Sequence, residues 1–203
     1  MAEEMMYGVS SAEELVSVPI QGGKHENVKI TEIVKEEVGE KNIPTITFKF
    51  TFPDNKTFTH REFPINRESI VKNISKFRGA TVEEVVERES KKLAASIIHI
   101  MSSFVTQDKL IFKATGWEDY IDKMIEIAGT AYEGHTFRCK IVYNKKGFPT
   151  FPRTMASPWF LNMKDPDTIV VNSRDNVTPP TPTPEKDIEM PPEKVAQDED
   201  LAF

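Results

Sequence analysis

A chain of 203 residues, 38% hydrophobic and 29% charged, suits one domain with appendages or at most two small domains. A net charge of −6 speaks against a uniformly basic coat for nucleic acid. The lone cysteine, Cys139, excludes an intramolecular disulfide framework and fits a reducing, cytoplasmic compartment, and no apolar run approaches membrane-spanning length.

The charge is unevenly placed. From Arg174 onward there are three basic residues (Arg174, Lys186, Lys194) against eight acidic ones, so this arm holds five of the six net negative charges. The body is near neutral and free to carry a local basic groove. Residues 1–21 read as an N-terminal arm with one short helix, opened by a capping box of Ser11 and Glu14. They lack a basic region followed by an apolar stretch, so no secretory signal is expected.

Gly22-Gly23 punctuates the chain, and a strand follows. Val28 and Ile30 alternate with polar residues, then the phase slips to Ile33 and Val34, as in a β-bulge that bends a long first strand. The segment Ile43–Phe52 alternates cleanly: Ile46, Phe48, Phe50 and Phe52 point to a core, and Thr45, Thr47, Lys49 and Thr51 point to solvent. Pro53-Asp-Asn-Lys56 is a turn, and Thr57–Phe63 returns as the second arm of a hairpin.

From Asn66 to Ala128 the period is helical. Ile70, Val71, Ile74 and Phe77 form one stripe stopped by Gly79. Thr81-Val-Glu-Glu84 is a capping box opening a long helix with Val82, Val85, Val86, Leu93, Ile97, Ile100, Met101 and Phe104 on one face. Thr115-Gly-Trp-Glu118 has the form of another helix start, with Trp117 as a packing anchor.

Strand character returns at Gly134, with Phe137, Cys139, Ile141 and Tyr143 on one face and Thr136, Arg138, Lys140 and Val142 on the other. Asn144-Lys-Lys-Gly147 is a turn, Phe148–Arg153 and Pro158–Leu161 follow, and Thr168–Val171 reads as a last strand or edge. After Asn172 the chain becomes Pro-rich and acidic, so residues 173–203 read as a disordered tail. No internal repeat is present. A bent first strand, a hairpin, a helical connection of about sixty residues and a final pair describe an α+β domain over residues 22–172, a five-stranded OB-type Greek-key barrel with a helical layer inserted at about 66–128.

This layout, with Gly23-Lys-His-Glu-Asn-Val-Lys-Ile-Thr-Glu-Ile33 leading into the hairpin, resembles phage-encoded OB-fold single-stranded DNA-binding proteins. The segment Asp198-Glu199-Asp200-Leu201-Ala202-Phe203 resembles the acidic, Phe-terminated tails of bacterial and phage members, although bacterial members usually end in Pro-Phe. The resemblance implies a protein that coats single-stranded DNA in replication and recombination, in the host cytoplasm if phage-encoded. It further implies a tail that recruits replication proteins such as a polymerase or helicase-primase and competes with DNA for the groove.

A single-strand binder needs cations that track phosphates and flat rings on which bases stack. Lys49, Lys56 and Arg61 lie on the outward face of the hairpin, with His60 nearby. Arg138 and Lys140 share a strand face, Lys145, Lys146 and Arg153 bracket Phe148 and Phe151, and Trp159 follows. This interleaving of cations and aromatics is the expected DNA-binding set. Phe48, Phe50, Phe52, Phe137 and Tyr143 are expected in the core.

His135 and Cys139 share a strand face but lie too far apart to chelate alone, so neither metal nor cofactor is expected. No P-loop, G-x-S-x-G, H-E-x-x-H or dinucleotide fingerprint occurs, so catalysis is not expected. The competing expectation is an interaction adaptor or virion-associated protein that uses the barrel for protein contacts. The helical insertion can pack on its own barrel or serve a homodimer.

Overall fold

The computed structural model describes residues 20–153 and 157–179. The expected N-terminal helix and the acidic segment Asp198–Phe203 lie outside the described residues. The described residues form strands β1 (Gly23–Val38), β2 (Ile43–Thr51), β3 (Thr57–Glu62), β4 (Phe137–Tyr143), β5 (Pro149–Thr150) and β6 (Phe160–Asn162). Helices α1 (Arg67–Lys72), α2 (Val82–Met101) and α3 (Trp117–Ala128) fall between β3 and β4, with 3-10 turns at Ile74–Phe77 and Gln107–Leu110. No helix among the described residues is long and apolar enough to cross a membrane.

The fold is mixed α+β, built on a nearly closed antiparallel barrel with strand order β3-β2-β1-β4-β5 and β6 also paired to β4. Strand β1 makes this possible because it serves two neighbours. Its first residues pair with β4, and Lys29–Val38 pair with β2. The register shifts between Ile30 and Glu32, where the sequence pattern slips phase, and again between His25 and Val28, where Asn27 adopts φ 56°. Each shift adds twist, and together they wrap one strand around the barrel. The hairpin turn is closed by Asn55 at φ 61°, a left-handed conformation that asparagine tolerates.

The barrel interior is aromatic. Phe50 sits edge-on to Phe151 and Phe160 at 5.3 and 5.6 Å between ring centroids, and Phe48, Phe137 and Trp159 are fully buried around it. Ile97, Ile100 and Met101 of α2 and Ile121, Met124 and Ala128 of α3 join the same core, so the helices are a layer on the barrel and not a separate unit. Trp117 is the anchor its position suggested: its indole N–H donates to the Pro44 carbonyl at 2.7 Å.

The Thr81–Glu84 capping box forms in both directions. The second helix start is displaced by one residue. Gly116 is the N-cap of α3, and Thr115 donates its N–H and hydroxyl to Asp119 instead of pairing with Glu118. The stripe from Ile70 to Phe77 is not one helix. It breaks at Asn73, whose amide bonds back to the Ser69 carbonyl, and Val71 is left exposed.

Thr168–Val171 is not a strand. Residues 163–177 cross the barrel as an irregular strap that pins itself to β4 and β1. The Tyr143 N–H donates to the Asn176 carbonyl at 2.7 Å, and the Asn176 amide donates back at 3.1 Å. Gly22 admits the strap: a methyl group there would lie 2.2 Å from the Val177 oxygen. The packed body therefore continues beyond 172.

Candidate nucleic-acid interface

The outward face of the hairpin is not an open cationic track. The Lys49 ammonium lies 2.7 Å from Glu32 and 3.1 Å from Glu36, and the Arg61 guanidinium lies 3.1 Å from Glu36. The Lys49 hydrogen bond, supported by Arg61 and the Thr47 hydroxyl, holds the Glu36 carboxyl below the usual carboxylate range. Two acids from β1 thus neutralise the two cations. Thr45 and Thr47, expected in solvent, are buried beneath this network, with the Thr45 hydroxyl bonded to the Glu36 carbonyl. Lys56 is paired with Asp54 at 2.9 Å in the turn. The acids are on the neighbouring strand, so inspection of the hairpin alone could not reveal the pairing.

Arg138 and Lys140 do share a strand face, but the strap covers it. Lys140 is only 3% exposed and donates to the Val170 carbonyl and to Asp175, both at 2.9 Å. Arg138 donates to the carbonyls of Asp165 and Met163 at 3.2 Å, and its Nε is buried without a partner among the described residues. Lys24, directly opposite Lys140 in the β1–β4 register, pairs with Asp167. These cations fasten the C-terminal strap to the barrel and are not available to phosphate while it is in place. This corrects their expected role. Alternation correctly predicted the face, but the strap that closes over it comes from about thirty residues further along the chain.

The aromatic set divides. Phe151 and Trp159 are sealed in the core, 4.7 Å apart between ring centroids, so they are not exposed stacking platforms. The prolines flanking Phe151 break the strand but do not expel the ring. Phe148 is 62% exposed at the tip of the β4–β5 hairpin. Asn144 shapes that tip: its side-chain oxygen accepts from the N–H groups of Lys146 and Phe148 at 2.9 and 3.1 Å, and Gly147 takes φ 82° to close the turn. The result is an outward ring preceded in the turn by Lys145 and Lys146, both exposed and neither ion-paired among the described residues.

This tip borders the open seam of the barrel. Strands β3 and β5 end the strand order without pairing to each other, and between them lies a cleft of about 110 Å³. Arg61 and the exposed Arg153 stand on its two sides, with His60 and Glu62 below. His60 and Glu62 occupy core-facing register positions opposite Phe48 and Ile46. Glu62 accepts from Ser96 of α2 at 2.7 Å and lies 3.1 Å from His60. Its burial opposes ionisation, but these partners together hold the carboxyl below its ordinary value. Of the expected residues, Lys145, Lys146 and Phe148 lie at the tip, and His60, Arg61 and Arg153 line the seam cleft, with Arg61 also held by Glu36. Lys49, Lys56, Arg138, Lys140, Phe151 and Trp159 have other structural partners.

Glu62 and His99 were not in the expected site. The signal for Glu62 was an acid at a core-facing position of an edge strand. His99 gave none: its Nε2 accepts from the N–H groups of both Trp159 and Phe160 at 3.2 Å and so pins β6 to α2. Cys139 and His135 are also engaged structurally. The thiol is buried, which pushes its pKa up, and His135 hydrogen bonds Asn162 at 2.9 Å. Comparison of the chain with protein-family models, with curated proteins and with solved structures returns no match.

Proposed function

We propose that this protein binds single-stranded DNA without catalysing a reaction, using an OB-type barrel whose contact surface runs from the β4–β5 tip along the open seam. The observation that carries this reading is Phe148, a large exposed ring in a turn shaped by Asn144 beside two lysines that have no ion-pair partner among the described residues. An exposed aromatic flanked by cations is what a single strand needs for a stacked base and two phosphates. The strand order β3-β2-β1-β4-β5, with the helices between β3 and β4, supports the OB-type assignment. Phosphate contact falls to Lys145, Lys146 and Arg153. The segment Asp198–Phe203 serves as a docking motif for a replication partner, with the acids against a basic rim and Phe203 in an apolar pocket.

A second reading, a protein-interaction adaptor, is favoured by the neutral ion-pair lattice of Glu32, Glu36, Lys49 and Arg61 on the hairpin face. Binding of labelled oligothymidylate over a salt series separates the two. A phosphate tracker loses affinity steeply as salt rises, whereas an adaptor shows no binding at any salt concentration.

A further inference from the structure

Edge strands commonly carry inward-pointing charge that deters pairing with other chains. That accounts for a charged group on β3, but it leaves the arrangement around Glu62 unexplained. Both hydrogen bonds to this carboxylate, from Ser96 Oγ and His60, fall on the same oxygen, Oε1. Oε2 has no hydrogen-bond partner among the described residues, yet the side chain is only 16% exposed and lines the seam cleft. That oxygen opens into the cleft, where a ligand donor can reach it.

The rest of the cleft is equally specific. Its wall carries the His60 ring, backed by the buried rings of Phe151, 5.0 Å away between centroids, and Phe58. Its rim carries the Arg153 guanidinium, close enough to Glu62 to favour the charged carboxylate. The volume of about 110 Å³ has room for a single planar heterocycle and not for an extended ligand. An imidazole in the wall, one carboxylate oxygen without a donor and a guanidinium in the lining match the edge of a base that presents an amino group beside ring and carbonyl acceptors.

We infer that the β3–β5 seam is a nucleobase pocket, in which Glu62 Oε2 accepts from the exocyclic amino group of a cytosine turned out of the single strand and Arg153 donates to its acceptor edge. This rests on the proposed single-strand binding and adds a base preference to it. Carboxylate side chains accept from cytosine N4, whereas thymine presents a carbonyl at the equivalent position, which a carboxylate repels.

The test compares oligodeoxycytidylate and oligothymidylate of equal length at pH 8, with the full chain and with Glu62→Gln. The Gln carbonyl still accepts from Ser96, so this variant keeps the fold; matching urea midpoints check that. The expected result is that the full chain binds the cytidylate about 5- to 150-fold more tightly, the span of one good base contact, and that E62Q brings the ratio close to one. Equal affinity of the full chain for both oligonucleotides, or an unchanged ratio in E62Q, overturns the pocket while leaving single-strand binding in place. Failure of both oligonucleotides to bind overturns the proposed function and the pocket together.

Discussion

Replacing Phe148 by alanine separates binding from folding. The ring is exposed, so truncation removes little buried surface and should change stability by no more than about 0.5 kcal/mol. If it carries one stacked base, affinity for oligothymidylate should fall by about 1–3 kcal/mol, or roughly 5- to 150-fold. Phe151→Ala is the matched control. That ring contacts Phe50, Phe58 and Trp159 at 5.3, 5.2 and 4.7 Å between centroids, so its loss should cost about 3–5 kcal/mol of folding stability, with weaker binding only in proportion to the unfolded fraction. Fluorescence anisotropy with a labelled oligonucleotide, run beside urea unfolding of each variant, gives both quantities. Unchanged affinity in a folded F148A would refute the assignment of the tip as the contact surface, and the argument from its geometry would fail with it.

Other substitutions probe the remaining parts. Lys145→Ala with Lys146→Ala should lower the slope of log affinity against log salt by about 1.4, or 0.7 per phosphate contact, and an unchanged slope would remove both from the interface. Asp175→Ala leaves Lys140 buried with only the Val170 carbonyl, so urea unfolding should show a loss of about 3–5 kcal/mol, and a loss under 1 kcal/mol would show the strap to be loosely held. His99 gives a pH signature. Burial lowers its pKa, and its Nε2 must stay unprotonated to accept two backbone N–H groups. The unfolded chain therefore takes up the proton first. The stabilising contribution is complete above the unfolded pKa and is lost as pH falls toward the folded value. The urea midpoint should drop between about pH 7 and pH 5 and should drop less in His99→Gln; identical pH profiles would exclude this role.

Much of the architecture was legible because it rests on local rules. Alternation over Ile43–Phe52 reports burial directly, since period two assigns each side chain to a face, and Ile46, Phe48, Phe50 and Phe52 are all in the core. The phase slip between Ile30 and Ile33 marked the observed register shift because an extra residue in a strand must reset the pattern. The Thr81–Glu84 box formed because its donors and acceptors lie within one helical turn. The site was less legible. A cation reads the same in sequence whether it meets phosphate, as proposed for Lys145, a carboxylate on the next strand, as for Lys49, or a strap, as for Lys140.

By itself, the order of residues determined the first three strands and β4, the start of the long helix, the apolar side of β2 and the main bends and turns, but not the fate of Thr168–Val171. Those outcomes depend on interactions spanning a few bonds. Only the tertiary structure decided which charged groups stay open to a ligand. Strands adjacent in space but distant in sequence brought Glu36 onto Arg61 and Asp175 onto Lys140, and left β3 and β5 apart with the free oxygen of Glu62 between them. Electrostatic pairing and solvent exclusion act through space, so the proposed binding surface is a product of the nearly closed barrel and not of any one stretch of its chain.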